Sequence, residues 1–191
     1  MEYTMTEISA SMLQDKDPTN LDISQISAWV FDLDNTIYPA HKSLFPRVAT
    51  RMIDWIETNF KLERMQAEAL KTRLFLEYGT TMNGLSSEYS VEPEEFLSYV
   101  HDIDLSDLSY DNELDAGMSA LPGKKYIYTN GTVLHASRIL KAFGIDHHFE
   151  LIFDIFASNH LPKPAMQPYQ DFLTQSKINP KQAVMIEDMA R

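Results

Sequence analysis

The chain has 191 residues and carries 16 Lys and Arg against 28 Asp and Glu, a formal charge of −12 with histidine neutral. So large an excess of acid argues against a nucleic-acid-binding module, which needs clustered Lys and Arg to hold phosphates, and 44% apolar with 11% aromatic residues argue against a disordered chain. With no cysteine there can be no disulfide, thiolate metal site or Cys nucleophile, so the chemistry must come from oxygen and nitrogen groups.

No apolar run approaches the roughly 18–20 residues of a membrane span, and the N-terminus lacks a basic region followed by an apolar stretch. These features predict a soluble, cytoplasmic protein whose partners are small molecules or cations, with no nucleic acid and no membrane among them.

Residues 1–25 are polar and aperiodic and read as a loose N-terminal arm. Ala28-Trp29-Val30-Phe31-Asp32-Leu33 reads as a buried strand. From Leu44 the spacing becomes helical: Val48, Met52, Trp55, Ile56 and Phe60 recur at three- and four-residue steps, then Met65, Leu70, Leu74, Phe75 and Tyr78 before Gly79. Further helices are expected after Pro93, with Phe96, Leu97 and Val100 on one face, and around Leu114 and Met118.

Strand-helix alternation then resumes. Lys125–Thr129 reads as a strand, Asn130-Gly131 as a turn, residues 134–143 as a helix closed by Gly144, and residues 151–157 as a third strand. A helix carrying Tyr169, Phe172 and Leu173 leads through Asn179-Pro180 to a fourth strand at 183–186. The expected fold is α/β, a doubly wound parallel sheet with an inserted all-helical cap. Its core would comprise residues 26–42 and 122–191, and its cap residues 43–121.

Four groups of residues can carry chemistry. Asp32 and Asp34 stand two apart at the end of a buried strand, where a divalent cation facing a phosphate would relieve their repulsion; one could be a nucleophile and the other a proton carrier. The alternative is a solvated acidic turn. Asp102-Ile103-Asp104 has the same spacing without the preceding strand, and at neither place do the following residues complete a calcium loop. Thr129-Asn130-Gly131-Thr132 offers an anion site at a helix N-terminus, or an ordinary helix cap. Lys163-Pro164 places a lone cation in the loop after the third strand, where it could hold a phosphoryl oxygen or lie along the surface. Glu187-Asp188 adds oxygen ligands after the fourth strand, or a polar strand end. All four would converge on one edge of a parallel sheet.

In this order, Asp32/Asp34/Thr36, Thr129/Asn130, Lys163/Pro164 and Glu187/Asp188 resemble the four-motif signature of the haloacid-dehalogenase-like phosphohydrolases. The stretch Phe31-Asp32-Leu33-Asp34-Asn35-Thr36-Ile37-Tyr38-Pro39, together with Tyr78-Gly79-Thr80-Thr81 and Tyr128-Thr129-Asn130-Gly131, looks more narrowly like the pyrimidine 5′-nucleotidase branch. The resemblance implies that Asp32 attacks phosphorus to form an aspartyl-phosphate. It implies that Asp34 protonates the leaving oxygen and then activates water. Thr129 and the Asn130-Gly131 region would bind phosphoryl oxygens, and Lys163 would neutralise charge.

By the same resemblance Mg²⁺ would sit on Asp32, the backbone carbonyl of Asp34 and Asp188, with Glu187 acting through water. Tyr78, Thr80 and Thr81 are candidates for reaching the rest of the substrate, beneath a cap that closes over it and excludes water; packing of a helix end within the cap is the alternative for all three. The expected activity is Mg²⁺-dependent phosphomonoester hydrolysis, with pyrimidine nucleoside 5′-monophosphates as substrates and the protein a monomer or homodimer. Another small phosphate ester, a phosphomutase or a non-catalytic binding protein are the alternatives, whereas a dehalogenase would leave Asp34 without a role. The fold normally continues into another helix and strand beyond the fourth strand; if the shortening at Arg191 is real rather than a truncation, 183–186 is expected to form an exposed apolar edge. His41, His101, His135, His147, His148 and His160 read as structural or surface residues.

Overall fold

A computed structural model describes residues 22–38, 42 and 44–189. The readings made for residues 1–21, Pro39 and His41 lie outside the described residues. Four strands, β1 (Ala28–Phe31), β2 (Lys124–Tyr128), β3 (Phe149–Phe153) and β4 (Ala183–Ile186), form one sheet in the order β3-β2-β1-β4. Every neighbouring pair is parallel, so the C-terminal ends of all four strands share one edge.

Among the described residues between β1 and β2 there are five α-helices: α1 (Leu44–Phe60), α2 (Arg64–Tyr78), α3 (Thr81–Tyr89), α4 (Pro93–Val100) and α5 (Asn112–Ala120). Helix α6 (Val133–Phe143) follows β2, and α7 (Met166–Ser176) follows β3. This is the doubly wound sheet with an inserted helical cap that the alternation predicts.

Side-chain alternation sorts the core onto the two faces of the sheet. Ala28 and Val30 of β1 join Tyr126, Tyr128 and Phe153 around Phe172 of α7. Trp29, Phe31 and Ile127 face the other way, toward Ala136, Ile139, Leu140 and Phe143 of α6. That second cluster runs without interruption into the cap through Leu44, Val48, Trp55, Ile56, Leu85, Phe96 and Val100. Cap and sheet therefore share one apolar body.

The sequence settles α6 by local rules. Thr132 accepts a hydrogen bond from His135 N (3.2 Å) at its start, and Gly144 takes a left-handed conformation (φ 73°) at its end. Other elements depart from the spacing. The third strand ends at Phe153 rather than at residue 157, because the Asp154 carboxylate accepts from Val133 N (3.0 Å) and Ala157 N (2.9 Å) and turns the chain out of the sheet. Helix α3 was not evident in the pattern. It is short and contains Gly84, where a β-carbon would come within 2.6 Å of Leu74 Cβ, so the glycine lets α2 and α3 pack backbone to side chain.

On α2 the expected apolar face is only partly used: Leu74 is buried, but Met65 is 81% exposed. Strand β4 occupies one end of the described sheet, with all four residues half-buried. No helix among the described residues is long and apolar enough to cross a membrane.

Ile139 is fully buried where α6 meets the sheet. Ile139→Ala is expected to lower the unfolding free energy by about 2–5 kcal/mol, through lost burial and the cavity left behind. A urea melt followed by circular dichroism measures it.

Candidate active site

Asp32 is the first residue beyond β1, and its N–H still bonds Ile186 O (2.9 Å), which fixes its side chain at the sheet edge. One carboxylate oxygen accepts from Lys163 Nζ (2.6 Å) and the other from Thr36 Oγ1 (3.1 Å). Lys163 is buried, and its ammonium also donates to Glu187 Oε2 (2.5 Å). The backbone N–H of Lys163 donates to Asn130 Oδ1 (2.9 Å), so the loop after β2 holds the loop that follows β3. The ammonium lies 5.6 Å from the centre of the Tyr128 ring, an additional cation-π contact.

Thr129 is 1% exposed, and its hydroxyl accepts from Gly131 N (2.9 Å). A β-carbon at Gly131 would lie 3.2 Å from that hydroxyl oxygen and 3.4 Å from His135 Cδ2, so a side chain there would crowd the turn.

Asp32 and Asp34 differ in environment although only one residue separates them. Burial pushes Asp32 up to about 6, an effect that Lys163 only partly offsets. Burial also acts on Asp34, yet His135 and the Tyr38 hydroxyl outweigh it and hold that carboxyl below its usual range. The Tyr38 hydroxyl donates to Asp34 Oδ1, and His135 Nε2 lies 3.4 Å from the same oxygen. Asn35, between Asp34 and Thr36, takes a left-handed conformation (φ 61°) that Asn tolerates better than most residues.

In the sequence Tyr38 stands out only within the 31–39 stretch, and His101 and His135 only as structural or surface residues. His135 is 2% exposed, its ring stacks on His101 with centroids 4.2 Å apart, and His101 Nδ1 lies 3.1 Å from Thr132 Oγ1. Reading these two histidines as merely structural or surface residues missed that one touches Asp34 and the other supports it. The only local signal was that His135 falls three residues after the cap Thr132, which turns it inward on the first turn of α6.

The cap candidates divide. Thr80 caps α3 by accepting from Asn83 N (3.1 Å), and Thr81 donates to Lys71 O (3.2 Å), so both hydroxyls are engaged within the cap. Tyr78 hydrogen-bonds Glu88, again inside the cap. Yet this turn rests on the loop that leads to Lys163. A β-carbon at Gly79 would lie 3.1 Å from Pro162 Cγ, and Asn83 Nδ2 donates to His160 O (2.9 Å). In the other Asp-x-Asp pair, Asp102 lies 3.7 Å from Arg138, and the Asp104 carboxylate accepts from Ser106 N (2.9 Å) and Oγ (3.0 Å).

The chain belongs to the haloacid dehalogenase-like hydrolases, whose family model matches residues 26–190. Solved structures agree in fold. A predicted phosphoglycolate phosphatase of Haemophilus somnus 129PT is 20% identical with a TM-score of 0.54, over 84% of this chain and 76% of that one. The HAD-hydrolase YfnB of Bacillus subtilis, solved bound to magnesium, is 15% identical with a TM-score of 0.52, over 84% and 77%. A haloacid dehalogenase-like protein of Streptococcus pneumoniae is 18% identical with a TM-score of 0.52, over 85% and 75%.

A divalent cation fits the residues present. Asp32, Glu187 and Asp188 each offer a carboxylate oxygen, and these oxygens lie within 4.8 Å of one another. Oxygen-only donors of this kind suit a small hard cation that keeps several waters.

Burial, followed by the neighbouring His135, pushes His101 down to about 3, so it is neutral in the fold. Above the unfolded-state value of about 6.5 neither state binds the proton; as pH falls toward about 3 only the unfolded chain takes it up, and stability is lost. His101→Phe is expected to show a shallower fall in thermal stability between about pH 6.5 and about pH 4.5 than the parent chain. Melting curves across that range test this.

Proposed function

We propose that this hydrolase is an Mg²⁺-dependent phosphomonoesterase working through an aspartyl-phosphate on Asp32, with residues 26–42 and 122–191 as catalytic core and 43–121 as cap. The observation that carries the reading is the division between the two aspartates: Asp32 lies against the Lys163 ammonium, whereas Asp34 faces Tyr38 and His135. One carboxylate is placed to meet an anion beside a cation, and the other is placed to exchange a proton.

In this mechanism the Asp32 carboxylate attacks phosphorus in line with the ester oxygen, and the bond from phosphorus to that oxygen breaks. Asp34 supplies the proton that leaves with the alcohol. A phosphoryl group brings negative charge beside Asp34 and raises its proton affinity, opposing the donors that hold it ionised. Water then loses a proton to Asp34 and attacks the same phosphorus, and the bond to Asp32 breaks to release phosphate.

Thr129 and the Asn130-Gly131 turn receive phosphoryl oxygens, and Lys163 holds Asp32 and Glu187 in place. Asp32, Asp188, Glu187 and the Asp34 carbonyl would hold Mg²⁺, which when bound would supply positive charge to offset the carboxylates and the phosphoryl oxygens.

Pyrimidine nucleoside 5′-monophosphates are the proposed substrates, on the resemblance carried by residues 31–39 and by the Tyr78-Gly79-Thr80-Thr81 turn. The contacts of that turn with Pro162 and His160 support it, because they set it beside the Lys163 loop. Tyr78, Thr80 and Thr81 each already have a hydrogen-bond partner within the cap, so their part in substrate contact rests on the position of the turn beside the Lys163 loop.

Asp32→Asn is expected to lower kcat toward a generic aryl phosphate by about a thousandfold or more, and excess EDTA to abolish turnover until Mg²⁺ is restored. Full activity in either case would overturn the mechanism. In a panel of nucleotides and sugar phosphates, kcat/KM is expected to be highest for UMP, CMP and TMP. A preference for sugar phosphates, or interconversion without phosphate release, would retain the chemistry and replace the substrate assignment.

A further inference from the structure

Helix α6 begins at the Asp34 cluster and runs 11 residues, roughly 16 Å, away from it. Beyond its far end the turn Asp146–His148 leads into β3, and there two histidines meet an aspartate of α5. His148 Nε2 lies 2.6 Å from Asp115 Oδ1, and His147 Nε2 lies 3.4 Å from the same oxygen. The two rings are tilted by 39° with centroids 4.0 Å apart, and the three ligand atoms lie within 4.8 Å of one another. The other oxygen, Asp115 Oδ2, accepts from the Tyr110 hydroxyl (2.5 Å). Tyr110 is seated over Gly144, where a β-carbon would come 2.2 Å from its ring.

A structural hydrogen bond to Asp115 would need one imidazole, and here two direct the same nitrogen at one oxygen. Two imidazole lone pairs and one carboxylate oxygen are the donor set of a borderline transition-metal cation of the Zn²⁺ class, whereas Mg²⁺ prefers oxygen alone. Around a tetrahedral ion with bonds of about 2.0–2.1 Å, ligand atoms stand about 3.3 Å apart. The His147 to Asp115 separation of 3.4 Å is already close to that spacing, and the His148 to Asp115 contact of 2.6 Å has to open by less than about 1 Å.

Tyr110 adds what such ligands usually have, a partner on the oxygen that points away from the ion and fixes the carboxylate's direction. Exposure also suits an ion arriving from solvent: the His148 side chain is 10% exposed, that of Asp115 22% and that of His147 60%. One side is anchored, and the other is open for a water ligand.

We propose that Asp115, His147 and His148 bind one cation of the Zn²⁺ class and thereby clamp α5 to the turn that enters β3. The site is separate from the Asp32 centre and makes no use of it. It ties the helix that leads from the cap into β2 to the strand that pairs with β2.

Metal-stripped full-length chain, kept in excess Mg²⁺, is titrated with Co²⁺ and followed by visible absorption. The expected result is an intense d–d band that saturates at one equivalent and is bleached by Zn²⁺, because a low-coordinate site with nitrogen donors absorbs strongly and an octahedral oxygen site weakly. His147 is largely exposed, so His147→Ala should keep the fold, checked by an unchanged melting temperature without metal. It is expected to weaken Co²⁺ binding at least about tenfold, and Tyr110→Phe, which removes only the supporting hydrogen bond, by about tenfold. Zn²⁺ should raise the melting temperature of the parent chain and not that of the His147→Ala, His148→Ala double variant. Absence of a saturable band in the parent chain, or an equal band and equal Zn²⁺ stabilisation in the double variant, overturns the proposal.

Discussion

The ammonium of Lys163 lies between the carboxylates of Asp32 and Glu187, three charged groups from segments far apart in the chain held in one small volume. Lys163 and Asp32 are both under a tenth exposed, so neither charge is tolerable there without the other. Their meeting depends on the sheet. Because β1, β2, β3 and β4 are all parallel, the residues that follow each strand emerge at one edge. Asn130 strengthens the arrangement from the loop after β2 by holding the backbone of Lys163. A protein of net charge −12 thus presents a local cation where an anionic ligand would have to arrive.

The same edge is bounded by the cap, and the joint between cap and sheet is built with both apolar and polar contacts. The larger hydrophobic cluster extends from Phe31 and Ile139 to Trp55 and Phe96 without a break. Over it, Arg138 of α6 donates to the carbonyls of His101 (2.9 Å) and Ile103 (2.8 Å), holding the end of α4 and the chain beyond it. His101 is thereby brought against His135, and His135 against Asp34. The cap thus contributes, through one stacked ring, to the surroundings of a carboxylate on the core.

Much of this architecture is legible in the sequence because its signals are local. The apolar run 28–31, the cap and stop residues Thr132 and Gly144, and the strand 183–186 follow from short-range propensity. Charged residues placed just after apolar strands mark the sheet edge in the same way. Other features have no local signal. Helix α3 exists because Gly84 lets it lie against Leu74, and residues 154–157 leave the sheet because Asp154 bonds the N-terminus of α6. Met65 has the right spacing for a buried face and is left exposed, since nothing among the described residues packs over that side of α2.

Composition and spacing by themselves determined the fold class and the residues that could form a charged centre, because each rests on strand and helix periodicity or on acids and a lysine at strand ends; the family entered through the resemblance of the four ordered motifs. Which partner each of those residues takes was decided only by the tertiary structure. Asp32 and Asp34 are alike in sequence, and they differ because one is buried against Lys163 while the other faces Tyr38 and His135. The histidines illustrate the same limit: the cap at Thr132 turns His135 inward, but nothing in the neighbouring sequence says that it meets Asp34 or that His148 meets Asp115. Contacts between residues 101 or 33 positions apart set their surroundings, and electrostatic environment is a property of distance in space rather than distance in sequence.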